Sequence, residues 1–480
     1  MSEPLSGNIA TYSSNDVQFA LPKLVLSSGC LLWYTFIWSL SVLGCRAARK
    51  RYRLQPRSPL ASASRTSAPG VSILRPLKGL DTNLYENLES TFTQEYSNFE
   101  IFLCVADEHD QALGVVRDLI SKYPNVDAHV IIGMSISWLE SGSDTVGVNP
   151  KVNNLMCAYK QAKHDILWVL DSNVMVVPGT LARSVDALIG PPNSKPSSRR
   201  IGLVHHVPFA WATEYALGSR LEEAFLNTNH AKMYLAINAV AIDSCVVGKS
   251  NLYRRSDLER VDGSLKPSSS RPSQEGLPGE RGLAAFGRFL AEDNMIAGAL
   301  WHELGLRHDL SCDVARNAVG SMTLSAYVWR RVRWVRVRKR MVFAATMVEP
   351  LTESILLGGL TSLALHHLAG VPHWLFLSIH FTLWLIVDLD VFASLAGYSV
   401  PAGSRLSFIS AWSMRELLAL PIWLLAILGN EVEWRGRRYE VLRNGEVRRV
   451  GNSNFTLWEW LTGRTKPQSD YYEPLDIAQD

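Results

Sequence analysis

The sequence predicts an α/β domain with a mostly parallel sheet, joined to a membrane near both ends. Three observations predict it. From Val71 to Val207, short apolar strands alternate with helix-like stretches. From Leu24 to Leu43, 20 residues pass without a charge. Beyond Arg340 the chain turns apolar again.

The run "LVLSSGCLLWYTFIWSLSVL" is about long enough to cross a hydrocarbon core as a helix. It is longer than the apolar part of a signal peptide and starts late, so it reads as an uncleaved anchor. Arg46, Arg49, Lys50, Arg51, Arg53 and Arg57 follow it. By the positive-inside rule that side is cytosolic and the N-terminus lumenal. Residues 1–57 form the anchor and its basic flank; the Ser/Ala/Pro-rich stretch 58–70 is a tether. A net charge of +3 over 480 residues gives no reason to expect a nucleic-acid partner. The six cysteines are scattered with no CxxC pair, which argues against a zinc site or disulfide framework and fits a reducing compartment.

The strands are "VSILRPL", "FEIFLCVAD", "VDAHVIIG" and "DILWVLD", with helices expected over Leu84–Thr93, Gln111–Lys122 and Val152–Lys163. Ligands of such sheets lie outside the carboxyl ends of the strands. Asp107 and Asp110 follow one strand and Asp171 another, so all three belong to one rim. A second part, Pro208–Arg340, reads as more helical and holds a polar Pro/Ser/Gly loop. Residues 71–340 are taken as one cytosolic domain. Within 341–430, Ile355–Ala369, Trp374–Val387 and Leu417–Leu428 are apolar, bordered by Glu349, Glu353, Asp388, Asp390, Arg415 and Glu416. Residues 431–480 form an Arg-rich tail, from Arg435 and Arg437 to Arg448 and Arg449. A cytosolic tail requires an even number of crossings after the domain, which two spans and one interfacial helix satisfy.

Four strings can carry chemistry. Asp107 and Asp110 in "CVADEHDQA" read either as turn and cap residues or as contacts to the base and ribose of a nucleotide. Asp171 in "LDSN" caps a strand-to-turn junction or holds a divalent cation, Mn2+ or Mg2+, that bridges diphosphate oxygens. Asn173 stands where a second aspartate is common, so another donor is needed. In "FLAEDNMIAGALWHEL", Asp293 reads as a helix cap or as a general base that deprotonates an acceptor hydroxyl. In "WRRVRWVRVRKR", Arg330, Arg333 and Trp334 share one helical face. Guanidinium groups there can neutralise a departing diphosphate, while Arg336, Arg338, Lys339 and Arg340 suit anionic lipid. Weaker candidates are Lys151, for a phosphate or as a surface lysine starting a helix, His205, His206, Glu292 and Trp334 for an acceptor pocket, with the two histidines more simply read as turn residues, and Cys245, more simply read as packing.

Together these strings resemble the ceramide glucosyltransferase family, whose pattern is three separated aspartates followed by (Gln/Arg)-x-x-Arg-Trp. It maps onto Asp110, Asp171, Asp293 and Arg330, Arg333, Trp334. "ILRPLKGLDTNLYENLES", "KYPNVDAHVIIG", "VGVNPKVNNLM", "GLVHHVPF" and "MVEPLTES" extend the likeness from Val71 into the C-terminal apolar region. Gly133–Thr145 and Asp262–Gly282 are longer than the family's counterparts. The resemblance implies a GT-A nucleotide-sugar domain facing the cytosol on Golgi or endoplasmic reticulum membrane. It implies UDP-glucose as donor, ceramide as acceptor and inversion at the anomeric carbon. Two other readings share parts of the pattern. A processive polysaccharide synthase shares the aspartates and the Arg-Trp motif but needs a continuous transmembrane tunnel. A non-catalytic membrane adaptor would use the basic helix alone.

Overall fold

The structure, a computed structural model, describes residues 14–133, 146–190, 199–267, 281–434, 437–442 and 444–449. Most of the two long insertions, Arg435, Arg443 and the chain beyond Arg449 lie outside the described residues.

Four strands form the parallel half of the sheet: β1 (Val71–Leu77), β2 (Phe99–Val105), β3 (Ala128–Ile132) and β4 (Ile166–Leu170). Every residue of β1 is buried, because helices cover both faces of a parallel sheet. The helices Leu84–Phe92, Ala112–Lys122 and Pro150–Gln161 supply that cover, close to their expected bounds. Asn149 caps the last one, its side chain accepting from Lys151 N at 2.8 Å with Pro150 as the first helical residue.

The second part carries more strand than its sequence suggests. Alongside the short β5 (Val174–Met175) come β6 (Ile201–Ala212), β7 (Ser250–Arg254) and β8 (Arg307–Val319). The sheet order is β3-β2-β1-β4-β7-β6-β8-β5, with β7 antiparallel to both neighbours and β6 parallel to β8. β8 reads "RHDLSCDVARNAV" and shows little apolar periodicity. Its polar residues are buried against partners instead: Asp313 takes both Nε and Nη2 of Arg183, at 2.7 and 2.8 Å.

Three helices are long and apolar enough to cross a membrane: Leu21–Tyr52 within the N-terminal helix, His373–Ala396 and Ala402–Ile427. Ser354–Ala369 is apolar but shorter. The charges expected to border these segments lie partly inside them. Asp388 sits within His373–Ala396 and pairs with Lys232 at 2.7 Å, both side chains fully buried. Trp412 Nε1 donates to its other oxygen at 2.8 Å. Arg415 and Glu416, inside the last helix, pair with each other and with Glu353 and Ser354. Each charge is paired, which lets the helices extend past it.

The basic run of Leu324–Met341 also has work inside the protein. Lys339 Nζ donates to the carbonyls of Ile427 and Gly429, at 3.0 and 2.6 Å, and Arg336 to Leu425 and Glu431. Cations thus satisfy the orphan carbonyls that end the last membrane helix. The chain then forms a three-stranded sheet, β9 (Glu431–Trp434), β10 (Arg437–Val441) and β11 (Val447–Arg449). Val447 N donates to Arg288 O at 3.0 Å, so the start of the expected tail packs on the sheet domain.

Candidate active site

The site forms where the carboxyl end of β4 meets the segment leading into β7 and the first turn of the helix Glu292–His302. Asp171 follows β4 directly. Lys151 Nζ, on the capped helix, lies 2.8 Å from Asp171 Oδ1 and 2.9 Å from Glu292 Oε1. Lys249 Nζ lies 3.0 Å from Asp171 Oδ2 and 3.0 Å from Asn173 Oδ1. Asn149 Nδ2 donates to Glu292 Oε2 at 2.8 Å, so one amide both caps the lysine's helix and orients the lysine's partner.

The charges set one another. Burial disfavours the ammonium of Lys151, but Asp171, Glu292 and Asp293 outweigh it and hold its pKa well above the usual lysine value. Burial likewise opposes the Asp171 carboxylate, and the two lysines outweigh it, holding its pKa below the usual carboxylate range. Asp293 goes the other way. Burial first, and then the neighbouring Glu292 charge, push its carboxyl up to about 7. A carboxyl near neutrality can take a proton at physiological pH.

Gly248 makes room for it. A methyl group at Gly248 would come within 2.0 Å of Asp293 Oδ2, while the Gly248 carbonyl faces Lys151 Nζ at 3.5 Å. Behind this segment stands Tyr234, whose hydroxyl accepts from Val247 N at 3.1 Å and meets His205 Nδ1. His230 stacks on Tyr234, ring centroids 5.7 Å apart, and meets Trp334 edge-on at 6.4 Å. A chain of aromatic contacts therefore links the Asp293 loop to the Arg-Trp motif.

Several expected site residues have structural partners. Asp107 Oδ1 accepts from His109 N at 2.9 Å, an Asx turn. Asp110 Oδ1 accepts from Ala112 N and from Gly79 N, at 2.9 and 2.8 Å. It thereby clamps the loop after β1, and Asp81 of that loop meets Ser172 Oγ beside Asp171. Asp110 and Asp171 are thus tied to one rim. Arg330 Nε lies 2.8 Å from the buried Glu222, with its guanidinium 5.2 Å from the Trp334 ring centre. Arg331 packs more closely on the aromatic surface, 3.5 Å over Phe225 and 4.9 Å from Trp334.

The two histidines are not turn residues. Both lie inside β6, so their side chains take opposite faces. His205 faces Tyr234; burial holds its pKa well below the usual histidine value. His206 is enclosed between Ser184 Oγ at 3.0 Å and Ser250 Oγ at 2.8 Å, which removes it from any acceptor pocket. Glu292 serves as the anchor of Lys151. Burial pushes the Cys245 thiol up to about 11, as a packing cysteine requires. Lys249, Asn149, Gly248 and Tyr234 carry no spacing signal that marks them.

Among the described residues, two places have donors for a cation. Asp171 and Asn173 offer oxygens that converge where Lys249 Nζ stands, a set suited to Mn2+ or Mg2+ if the ammonium yields. Glu100, Asp127 and His129 bring their ligand atoms within 4.8 Å of one another. That group lies at the amino ends of β2 and β3, the opposite edge from Asp171, and Lys163 Nζ already contacts Asp127 at 3.0 Å and Glu100 at 3.4 Å.

Curated relatives align along most of the chain. A ceramide glucosyltransferase of Komagataella phaffii is 37% identical, covering 87% of this chain and 90% of its own. One from Candida albicans is 33% identical over 78% and 87%. Among solved structures, the mannosyltransferase PcManGT of Pyrobaculum calidifontis, in complex with GDP-Man and Mn2+, is 16% identical with a TM-score of 0.41, over 84% of this chain and 98% of its own. The profile of glycosyl transferase family 21 matches residues 31–267 and 274–447, and the chain belongs to that family.

Proposed function

We propose that the protein transfers glucose from UDP-glucose to the primary hydroxyl of ceramide, with inversion, at a cytosol-facing site on Golgi or endoplasmic reticulum membrane. The observation that carries this reading is the position of Asp293. Its carboxyl, raised to about 7, stands beside the Lys151–Asp171 pair at the sheet's carboxyl rim. Asp293 takes the hydroxyl proton as the acceptor oxygen attacks the anomeric carbon from the face opposite the departing UDP. Lys151 and Lys249 neutralise the diphosphate, with Arg333 and Arg330 on the leaving side. Asp107 and Asp110 receive the base and ribose.

Asp171 and Asn173 would hold Mn2+ or Mg2+ in exchange for the Lys249 ammonium. Such a cation adds charge neutralisation at the diphosphate. The acceptor side draws support from the helix Ala231–Val240, which carries Tyr234. It packs so tightly on the N-terminal helix that a methyl group at Gly44 would come within 2.1 Å of Lys232 O. On its open side Ile237, Val240 and Ile242 are exposed, an apolar surface suited to a bilayer. Ceramide can then present its hydroxyl without leaving the membrane, which would cost roughly 0.8 kcal/mol per methylene.

Membranes containing the protein, labelled UDP-glucose and a panel of ceramide, diacylglycerol and sterol test the reading. Labelled glucosylceramide is the expected product. A polymer formed without added lipid, or no transfer to ceramide, refutes it. For the donor side, Asp171→Ala should weaken UDP and Mn2+ binding together in calorimetry.

A further inference from the structure

A second charged cavity lies away from Asp171 and Asp293, where the N-terminal helix leaves the membrane. It has a volume of about 310 Å³ and is lined by Arg51, Arg57, Ser58, Arg183, Asp186 and Leu310, among others. Four elements build it: the end of the membrane helix, the turn Pro59–Ser62, the helix Thr180–Ile189 and β8. Nothing in the transfer reaction uses these residues.

Two of the three arginines are already locked in place. Arg51 Nη1 donates to Asp309 Oδ1 at 2.7 Å and also to Leu310 O. Arg183 spends Nε and Nη2 on Asp313. Among the described residues, Arg51 Nη2 and Arg183 Nη1 donate no hydrogen bond, and Arg57 makes no ion pair. The groove therefore presents pre-organised guanidinium donors plus one exposed cation, a set that matches phosphate oxygens. Asp186, held by Ser58 Oγ, adds a carboxylate on the same wall. With Asp309 and Asp313 already paired to Arg51 and Arg183, this third carboxylate disfavours a bare multivalent anion but accepts well from hydroxyl groups.

The height of the groove matters too. Arg46 is the first charge after the apolar run, and Arg51 follows five residues later. At 1.5 Å per residue that is about 8 Å along the helix, the depth of the headgroup layer. We propose that this groove binds the phosphorylated, hydroxyl-bearing headgroup of an anionic lipid such as a phosphoinositide. The shared chemistry is a phosphate monoester on a polyol, which a soluble inositol phosphate also offers.

The test uses the full chain in phosphatidylcholine nanodiscs, titrated with dioctanoyl phosphatidylinositol 4-phosphate, inositol 1,4-bisphosphate or inorganic phosphate. The expected result is saturable binding of the lipid at one site per chain. Arg57→Glu, exposed and remote from the transfer site, should weaken it about tenfold. Asp186→Asn should weaken the inositol ligands and leave inorganic phosphate unchanged. Equal affinity for lipid and free headgroup would keep the site and assign it to the soluble compound. Non-saturable binding, or wild-type affinity in Arg57→Glu, overturns the proposal, as does binding of inorganic phosphate as tight as that of both inositol ligands.

Discussion

The raised carboxyl of Asp293 makes the pH dependence of transfer a direct test of its role. A base must be ionised to act, so kcat/KM should fall on the acid side with an apparent pKa near 7. Glu292→Gln keeps the size of its neighbour and its bond from Asn149 but removes the charge. Two carboxylates on the order of 6 Å apart, at an effective dielectric constant of about 20, repel by about 2.8 kcal/mol, which equals about two pH units. The acid limb should therefore move down by up to about two units in Glu292→Gln. Lys151 acts on Asp293 with the opposite sign, so Lys151→Gln should move the limb up. Initial rates across pH 5 to 9 at low acceptor concentration measure both. Unfolding does not mimic the effect. Folding raises the proton affinity of Asp293 above its ordinary 3.8, so its contribution to stability is complete below that value and is lost as pH rises through about 7. A limb that stays in place in both variants would refute the electrostatic coupling. A limb that persists in Asp293→Asn with wild-type rates would refute the base itself.

Other outcomes follow from the same contacts. Asp293→Asn should lower kcat by a factor on the order of 10² to 10⁴, with a melting temperature above pH 7 no lower than that of the wild type, because the amide removes a buried charge. Gly248→Ala should push Asp293 aside and lower kcat by about a hundredfold, with donor binding by calorimetry largely kept, because its new methyl meets the carboxylate first. Lys249→Met frees one oxygen of Asp171, so the Mn2+ concentration for half-maximal UDP binding should fall about tenfold; an increase would contradict exchange of ammonium for metal. Lys232→Met strands Asp388 in the membrane and should cost about 3–5 kcal/mol in thermal unfolding, whereas Lys232→Met with Asp388→Leu should recover much of it.

The comparison of sequence and structure turns on how far each signal reaches along the chain. The anchor helix and the parallel half of the sheet were legible because each depends on residues within a few positions. Asp171 was legible as a rim carboxylate because a strand's end is a local feature. β8 was not, since its burial is satisfied by Arg183, 130 residues away, rather than by apolar alternation. The Asn444–Gly445 turn between β10 and β11 was a readable hairpin signal that an Arg-rich tail obscured. His205 and His206 looked alike in sequence, and only the pleat of β6 gave one to Tyr234 and the other to the core.

By itself the sequence determined an apolar N-terminal helix and an α/β domain with acidic residues following its strands, because hydropathy and periodicity are properties of neighbours. Only the tertiary structure decided which of those acids meet lysines, which one is left to hold a proton near neutrality, and which charges inside the membrane helices are paired. Those outcomes depend on distances between residues remote in sequence. Electrostatic energy varies with separation and burial, and neither is written in the spacing of the letters.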